Sequence, residues 1–282
     1  MYDSVADMAD RNAATRTSAS TSLVGATCAD VVVGLGAWRL WSKFAWHDMV
    51  SRYRRSWVGP FWLVLTTAIF VGAMSLVYGT LFHMAVREYV PFVAAGVVSW
   101  GFIAATATES VTTFVDAETY IRQVRVNLFV YVFRVVWRNV LVFAHQFVVV
   151  VVVLVLFGRF ALHTLPLAVL GLFLFLLQAV WVAPLLGLLG TRFRDLQPII
   201  TNVLQVLFFV TPVLWPPSLL GARRWIADLN PLHSLIAVLR EPLLGAVPSM
   251  RDYLYVIAIT AVGLALATLM YGRFRLRVVY WL

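Results

Sequence analysis

Long uncharged runs alternate along the chain with short basic clusters, and that alternation predicts its elements. The clearest junction is RYRRSWVGPFW, where Arg52, Arg54 and Arg55 precede Trp57, Gly59 and Pro60, and an apolar run follows over 61–82. A helix of those 22 residues spans ~33 Å, enough for a bilayer core of ~30 Å. Basic residues, an interfacial tryptophan, a turn and an apolar run mark a helix leaving the cytoplasmic face for the membrane. Further runs predict spans at about 91–113, 139–157, 164–190, 199–215 and 253–272, six in all, with Pro91 in the first turn of the second. The fold class is therefore an all-α membrane protein.

The segments between the runs carry patterns of their own. In 37–58, Trp38, Trp41, Ala45, Met49 and Tyr53 recur at spacings of three and four, while Arg39, Lys43, Asp48 and Arg52 lie largely elsewhere around the helix. That predicts an amphipathic helix in the cytoplasmic interface; packing on a protein partner is an alternative compatible with it. Residues 1–22 are rich in Ser, Thr, Ala and Asp and lack the apolar core of a signal peptide. Residues 23–36 are apolar but short and interrupted by Asp30, so 1–36 is expected to be a weakly ordered cytoplasmic segment and 37–282 the membrane domain. After the fifth run, Pro216 and Pro217 break the helix, a helix-like piece covers 218–228, Asn230–Pro231 turns the chain, and a 13-residue apolar piece covers 233–245. Pieces this short predict a helical hairpin re-entering the outer leaflet, with a hairpin lying flat on the headgroups as the alternative.

Composition sharpens this picture. The chain is 62% hydrophobic and 12% charged, against about 25% charged in soluble domains. Its net charge of +9 comes from 21 arginines and one lysine, Lys43. Because the arginines flank apolar runs, membrane topology accounts for them, and no nucleic acid is expected as a partner. Placing both termini and the even-numbered loops in the cytoplasm puts 16 of the 22 basic residues there, the orientation expected of a multi-pass membrane protein. Cys28 is the only cysteine, which rules out an internal disulfide and a cysteine metal site.

No catalytic constellation emerges. The five histidines are scattered, and His145, the one well inside a span, is expected to hydrogen-bond between helices. Glu109, near the cytoplasmic end of the second span, is expected to snorkel or to pair with a basic residue such as Arg122. Lys43 stands in WSKFA with no glycine-rich loop, so the chain has no P-loop and is not itself an ATPase. It binds no cofactor of its own; ATP and Mg belong on a separate partner subunit if ATP drives it. Two segments suit docking to such a motor. In DAETYIRQVRVN, Asp116 is expected to cap a short helix bearing Glu118, Arg122 and Arg125; TRFRDLQP, with Arg194 and Asp195, is the second. In the fifth span Asn202, Gln205 and Phe209 fall on one side, and the first span carries Trp62, Phe70 and Tyr78. Amides and aromatic rings suit sugars, although ordinary helix packing in membranes uses the same residues.

The chain resembles the transmembrane subunit of polysaccharide-exporting ABC transporters, the ABC-2 class that includes O-antigen, capsule and teichoic-acid exporters. The resemblance is carried by Arg52-Tyr53, Ser56, Gly59-Pro60 and Trp62 before the first span, Phe193-Arg194-Asp195 before the fifth, and Pro212 at its close. Asn230-Pro231-Leu232, Leu239-Arg240 and Leu243-Leu244-Gly245 complete it; it runs from about residue 38 to the end. It implies a homodimer with two separate nucleotide-binding subunits in a bacterial inner (plasma) membrane. It further implies a coupling helix at 116–127, an interface helix at 37–58, an outer gate at 216–250, and a path lined by spans one and five. Gly59 and Pro60 would form an elbow, and Asn230 and Pro231 a gate hinge; Arg52, Arg54, Arg55 and Trp57 would meet a lipid pyrophosphate. The implied cargo is an undecaprenyl- or decaprenyl-type lipid-linked polysaccharide: O-antigen, a galactan or another wall polymer needed for cell wall biogenesis. Export of a drug or lipid by another ABC-2 permease, and secondary transport, are the alternatives.

Overall fold

The computed structural model describes residues 23–53, 58–124, 126–159 and 161–282. Arg54, Arg55, Trp57 and Arg125 lie outside the described residues, as does all of 1–22. Among the described residues every regular element is helical. In chain order these are α1 (Leu23–Gly36), α2 (Trp38–Tyr53), α3 (Trp62–Leu81), α4 (Val86–Val111), α5 (Glu118–Gln123) and α6 (Leu128–Leu156). They continue with α7 (Leu165–Arg192), α8 (Leu196–Val210), α9 (Trp225–Asp228), α10 (Pro231–Leu243), α11 (Met250–Phe274) and α12 (Val278–Trp281). Short 3₁₀ turns at Gly59–Phe61, Leu162–Thr164, Pro217–Arg223 and Arg275–Arg277 join some of them.

Five helical stretches are long and apolar enough to cross a bilayer: Gly59–Leu81, Val86–Val111, Leu128–Leu156, Leu162–Arg192 and Met250–Trp281. A sixth arises if α1 and α2, bent by 68° at their junction, count together. The chain is thus an all-α, multi-pass membrane protein. The run predicted as a fifth span over 199–215 forms α8, a helix of 15 residues and ~22 Å. It stops because Pro212 cannot donate and forces the preceding Thr211 into extended backbone (φ −85°, ψ 137°).

Two predicted spans begin earlier than expected, for the same reason: their charged ends find partners. α4 starts at Val86, so Pro91 lies inside the helix and not in its first turn. Arg87 Nε donates to the Phe157 carbonyl at 3.1 Å, and Glu88 pairs with Arg159 at 2.7 Å. α6 starts at Leu128, eleven residues before the predicted 139, with the Asn127 side chain capping Phe129 N–H at 2.8 Å. Arg134 and Arg138, read as loop residues, lie inside it.

Residues 23–36 are a helix, not a weakly ordered segment. α1 packs against α11 and α6. Asp30, which looked like an interruption, accepts from Arg275 Nη1 at 2.7 Å, the Tyr271 hydroxyl at 3.2 Å and Asn127 Nδ2 at 3.3 Å.

The core forms where α4, α6 and α7 meet α10. Phe102, Phe143 and Phe175, one from each long helix, have ring centroids 5.1–5.7 Å apart. The apolar piece after Asn230–Pro231 becomes α10, and His233 through Arg240 of it are buried against α4, α7 and α11. A Cβ on Gly171 of α7 would overlap the Val238 carbonyl oxygen, so backbone touches backbone there. Pro217–Arg223 and α9, the other half of the predicted hairpin, are mostly exposed.

Candidate functional site

Three constructions in the bundle involve the predicted functional residues. The first is an ion cluster joining α2 to α4 and α6. Arg134 grips Asp48 with two nitrogens at 2.6 and 2.8 Å, the fork-to-fork geometry that fixes both partners. Arg138, 9% exposed, donates to Asp48 at 3.2 Å and to Glu109 Oε2 at 3.0 and 2.7 Å. Glu109 also accepts from Arg52 Nη1 at 2.8 Å and Asn139 Nδ2 at 3.0 Å. Three guanidinium groups therefore share two carboxylates. Glu109 pairs with Arg138 and Arg52 and not with Arg122, which is taken by Glu118 one helical turn away on α5 (2.9 Å). Of the residues proposed for pyrophosphate contact, only Arg52 is described, and one of its nitrogens is committed to Glu109.

α2 packs on α6 through fully buried Ala45 and Met49, and the Trp41 ring lies 5.9 Å from both Phe133 and Trp137. Trp38 and Trp46 remain exposed. α5 follows a series of turns running off the end of α4. Asp116 does not cap it: its carboxylate accepts from the Thr112 hydroxyl at 2.8 Å, because the turns direct it back towards α4. The Phe44 and Tyr120 rings, 6.4 Å apart, bring α2 and α5 together. In the second docking segment Arg194 and Asp195 are both exposed, with no ion pair between them among the described residues.

The second construction is a groove of 640 Å³ between α3 and α8, floored by α4. Phe70 and Thr66 come from α3, Trp100 and Thr108 from α4, Gln146 from α6, and Thr201, Gln205 and Phe208 from α8. Among the described residues no charged one lines it. It unites Phe70 and Gln205 from the predicted set. Trp62, Asn202 and Phe209 are exposed outside its lining, and Tyr78 packs on Phe82 at 5.7 Å. Thr66, Trp100 and Gln146 were missed because their helices also carry buried faces, so no single periodic stripe marks them. His145 Nδ1 donates within its own helix, to Leu141 O at 2.7 Å, rather than between helices.

The third construction pins the broken end of α8. The Tyr89 hydroxyl donates to Leu214 O at 2.5 Å, Arg240 Nη1 to Pro212 O at 2.8 Å, and Asn230 Nδ2 to Thr211 Oγ1 at 2.9 Å. Asn230 also caps α10 through Leu232 N–H at 2.9 Å, with Pro231 as the first helical residue. Arg240 is 2% exposed and lies 4.0 Å from the Phe92 ring centre. Among the described residues it has no carboxylate within ion-pair distance, and burial lowers its pKa to about 10. Burial, then the Arg240 charge, lowers the His233 pKa to about 4; burial and Asp252 raise that of Glu241. At the other end of the bundle Gly59 has φ +61°, a backbone that side-chain-bearing residues rarely adopt, and Pro60 opens the 3₁₀ turn into α3.

The described residues thus form a multi-pass helical bundle with an aromatic, amide and hydroxyl groove between α3 and α8 and an ion-paired cluster joining α2, α4 and α6. The model of the ABC-2 type transporter family matches residues 11–244, and the chain belongs to that family. The match begins well before residue 38, where the resemblance was expected to start, and so takes in α1. The chain is similar to the O-antigen export system permease protein RfbA of Myxococcus xanthus: 29% identical over 200 residues, 67% of this chain and 74% of that one. Two proteins of the same name from Klebsiella pneumoniae are each 24% identical, over 80% of this chain and 90% of theirs.

Proposed function

We propose that this chain is the channel-forming permease subunit of an ATP-driven exporter that moves a lipid-linked polysaccharide out of the cytoplasm. The observation carrying this reading is the groove between α3 and α8. It offers aromatic faces (Phe70, Trp100, Phe208) beside amides and hydroxyls (Gln146, Gln205, Thr66, Thr201) and no charge. That chemistry suits neutral sugars, whose hydroxyls need hydrogen bonds and whose C–H faces stack on rings. The relatives' name, O-antigen export system permease protein, agrees with this reading.

In this reading two copies pair so that their grooves face a common path, and two separate ATPase subunits bind ATP and Mg. α5, with Asp116, Glu118, Arg122 and Arg125 on and around it, receives the motor's push. The ion cluster makes α2 follow α4 and α6, and the turn at Gly59 and Pro60 passes the motion to α3. Asn230 and Pro231 hold the outer end of α8, and the glycan leaves beside them. Arg52, Arg54, Arg55 and Trp57 meet the lipid pyrophosphate at the inner surface, with both termini in the cytoplasm.

Depleting the subunit from cells is expected to accumulate a lipid-linked polymer inside, and a Phe70→Ala, Gln205→Leu double variant to reduce export at normal protein level. Undiminished surface polymer after depletion, with a small lipid or drug retained instead, would assign a different cargo.

A further inference from the structure

A pocket of 400 Å³ opens between α2, α5 and α6, away from the groove. Lys43, Phe44, His47 and Asp48 of α2 line it with Tyr120 of α5 and Arg134 of α6. Its one acid is already neutralised: the Asp48 oxygens accept from two nitrogens of Arg134 and one of Arg138. Its bases are not fully spent. Arg134 uses Nε and Nη2 on Asp48, and its Nη1 has no partner among the described residues. Lys43 and His47, one helical turn apart on the same side of α2, are exposed, and among the described residues neither has a partner. The Phe44 ring forms one wall, with the Tyr120 ring centre 6.4 Å and the Arg134 guanidinium 5.7 Å from its own centre. The pocket therefore holds three cationic or donor groups with free N–H, two aromatic faces and no unpaired carboxylate.

The place of α2 in the molecule says which anion meets these donors. Arg39, Lys43, Asp48 and Arg52 fall within its 16 residues, too much charge for the hydrocarbon layer. Yet the membrane-crossing stretch Gly59–Leu81 begins shortly after it, which keeps α2 close to the bilayer surface. Trp38 and Trp46 are 57% and 52% exposed on a helix whose only acid, Asp48, is tied to α6. Exposed tryptophans beside unpaired basic residues are the composition of a helix at headgroup depth, where the abundant anion is lipid phosphate. We propose that this pocket binds the headgroup phosphate of an anionic glycerophospholipid, with phosphatidylglycerol as its simplest form. Lys43 Nζ, a ring nitrogen of His47 and Arg134 Nη1 donate to the phosphate oxygens, and the Phe44 and Tyr120 rings cover the glycerol. One bound lipid then bridges α2, α5 and α6, so α5 is held against α2 more firmly in an anionic bilayer than in a neutral one. This inference holds whatever the exported cargo is.

Lys43 is the only lysine of the chain, so an amine-acetylating reagent reports on this pocket directly. The full chain in dodecyl maltoside is treated with the reagent in the presence of dioctanoyl phosphatidylglycerol, dioctanoyl phosphatidylcholine or inorganic phosphate, and acetylation of Lys43 is timed by peptide mass spectrometry. With phosphatidylglycerol at about ten times its apparent Kd, the reaction is expected to slow about tenfold. Phosphatidylcholine and inorganic phosphate are expected to leave the rate unchanged. His47→Ala is expected to weaken the protection, whereas Arg39→Gln, on the same helix but outside the lining, is expected to keep it. An unprotected Lys43 in the wild-type chain would overturn the proposal. Equal protection by inorganic phosphate would overturn the lipid as its source, and equal losses in the two variants would reduce the effect to general surface charge. Protection that appears only when an ATPase subunit is bound would give the pocket to a protein partner instead.

Discussion

Glu109 shows how a single side chain holds three helices. It accepts from Arg138, Arg52 and Asn139, and Arg138 is only 9% exposed. Removing one member of such a pair strands a buried charge, a loss of about 3 kcal/mol. Glu109→Gln is therefore expected to lower the melting temperature in detergent. A Glu109→Leu, Arg138→Leu double variant should recover part of the stability, because the buried Arg138 charge goes with its partner, Asp48 keeps Arg134, and Arg52, which loses Glu109, is half-exposed. His233 gives a pH dependence. Its pKa falls from 6.5 to about 4 on folding, so between those values the unfolded chain binds more protons than the folded one. Stability is full above pH 6.5 and declines as the pH falls towards 4. Thermal unfolding across that window is expected to show the decline, and His233→Gln to flatten it.

At the scale of elements, α10 is the buried centrepiece, and its position depends on the close approach at Gly171. Gly171→Leu puts four carbons where the Val238 carbonyl lies, and overpacking of this kind costs about 1–3 kcal/mol or more. A sharp loss of folded yield is expected by size-exclusion chromatography; unchanged yield and melting temperature would mean that α7 and α10 do not meet there. The long apolar helices were legible because uncharged runs of that length have few other uses. Their ends were not. Arg134, Arg138, Arg87 and Glu88 look like loop residues in a sequence, and only their partners, 70 or more positions away in these four bonds, bring them into helices. Asp30 misled in the same way, since Tyr271 and Arg275 lie 241 and 245 positions along the chain. Half of the groove was visible in Phe70 and Gln205. Trp100 and Gln146 were not, because α4 and α6 carry buried residues all round and the groove face leaves no separate period.

For the whole molecule, the proposed pairing of two copies is tested at the exposed flanks of α3 and α8. Ile69 is 61% exposed and Val206 63%. In a Cys28→Ser background, cysteines at these two positions are expected to give a dimer-sized band on oxidation in membranes; a monomer band alone would rule out that arrangement. The pinned end of α8 also constrains how the protein is made. The carbonyl of Pro212 waits for Arg240, 28 positions later, and Thr211 waits for Asn230, 19 positions later. A nascent chain whose α8 has already reached the bilayer therefore holds an unpaired backbone carbonyl and a side-chain hydroxyl in an apolar medium until α10 is synthesised. During that interval α8 is best kept at the insertion machinery. A chain truncated before Pro231 is then the natural substrate of membrane quality control, while one that reaches Gly245 has the residues to pin α8.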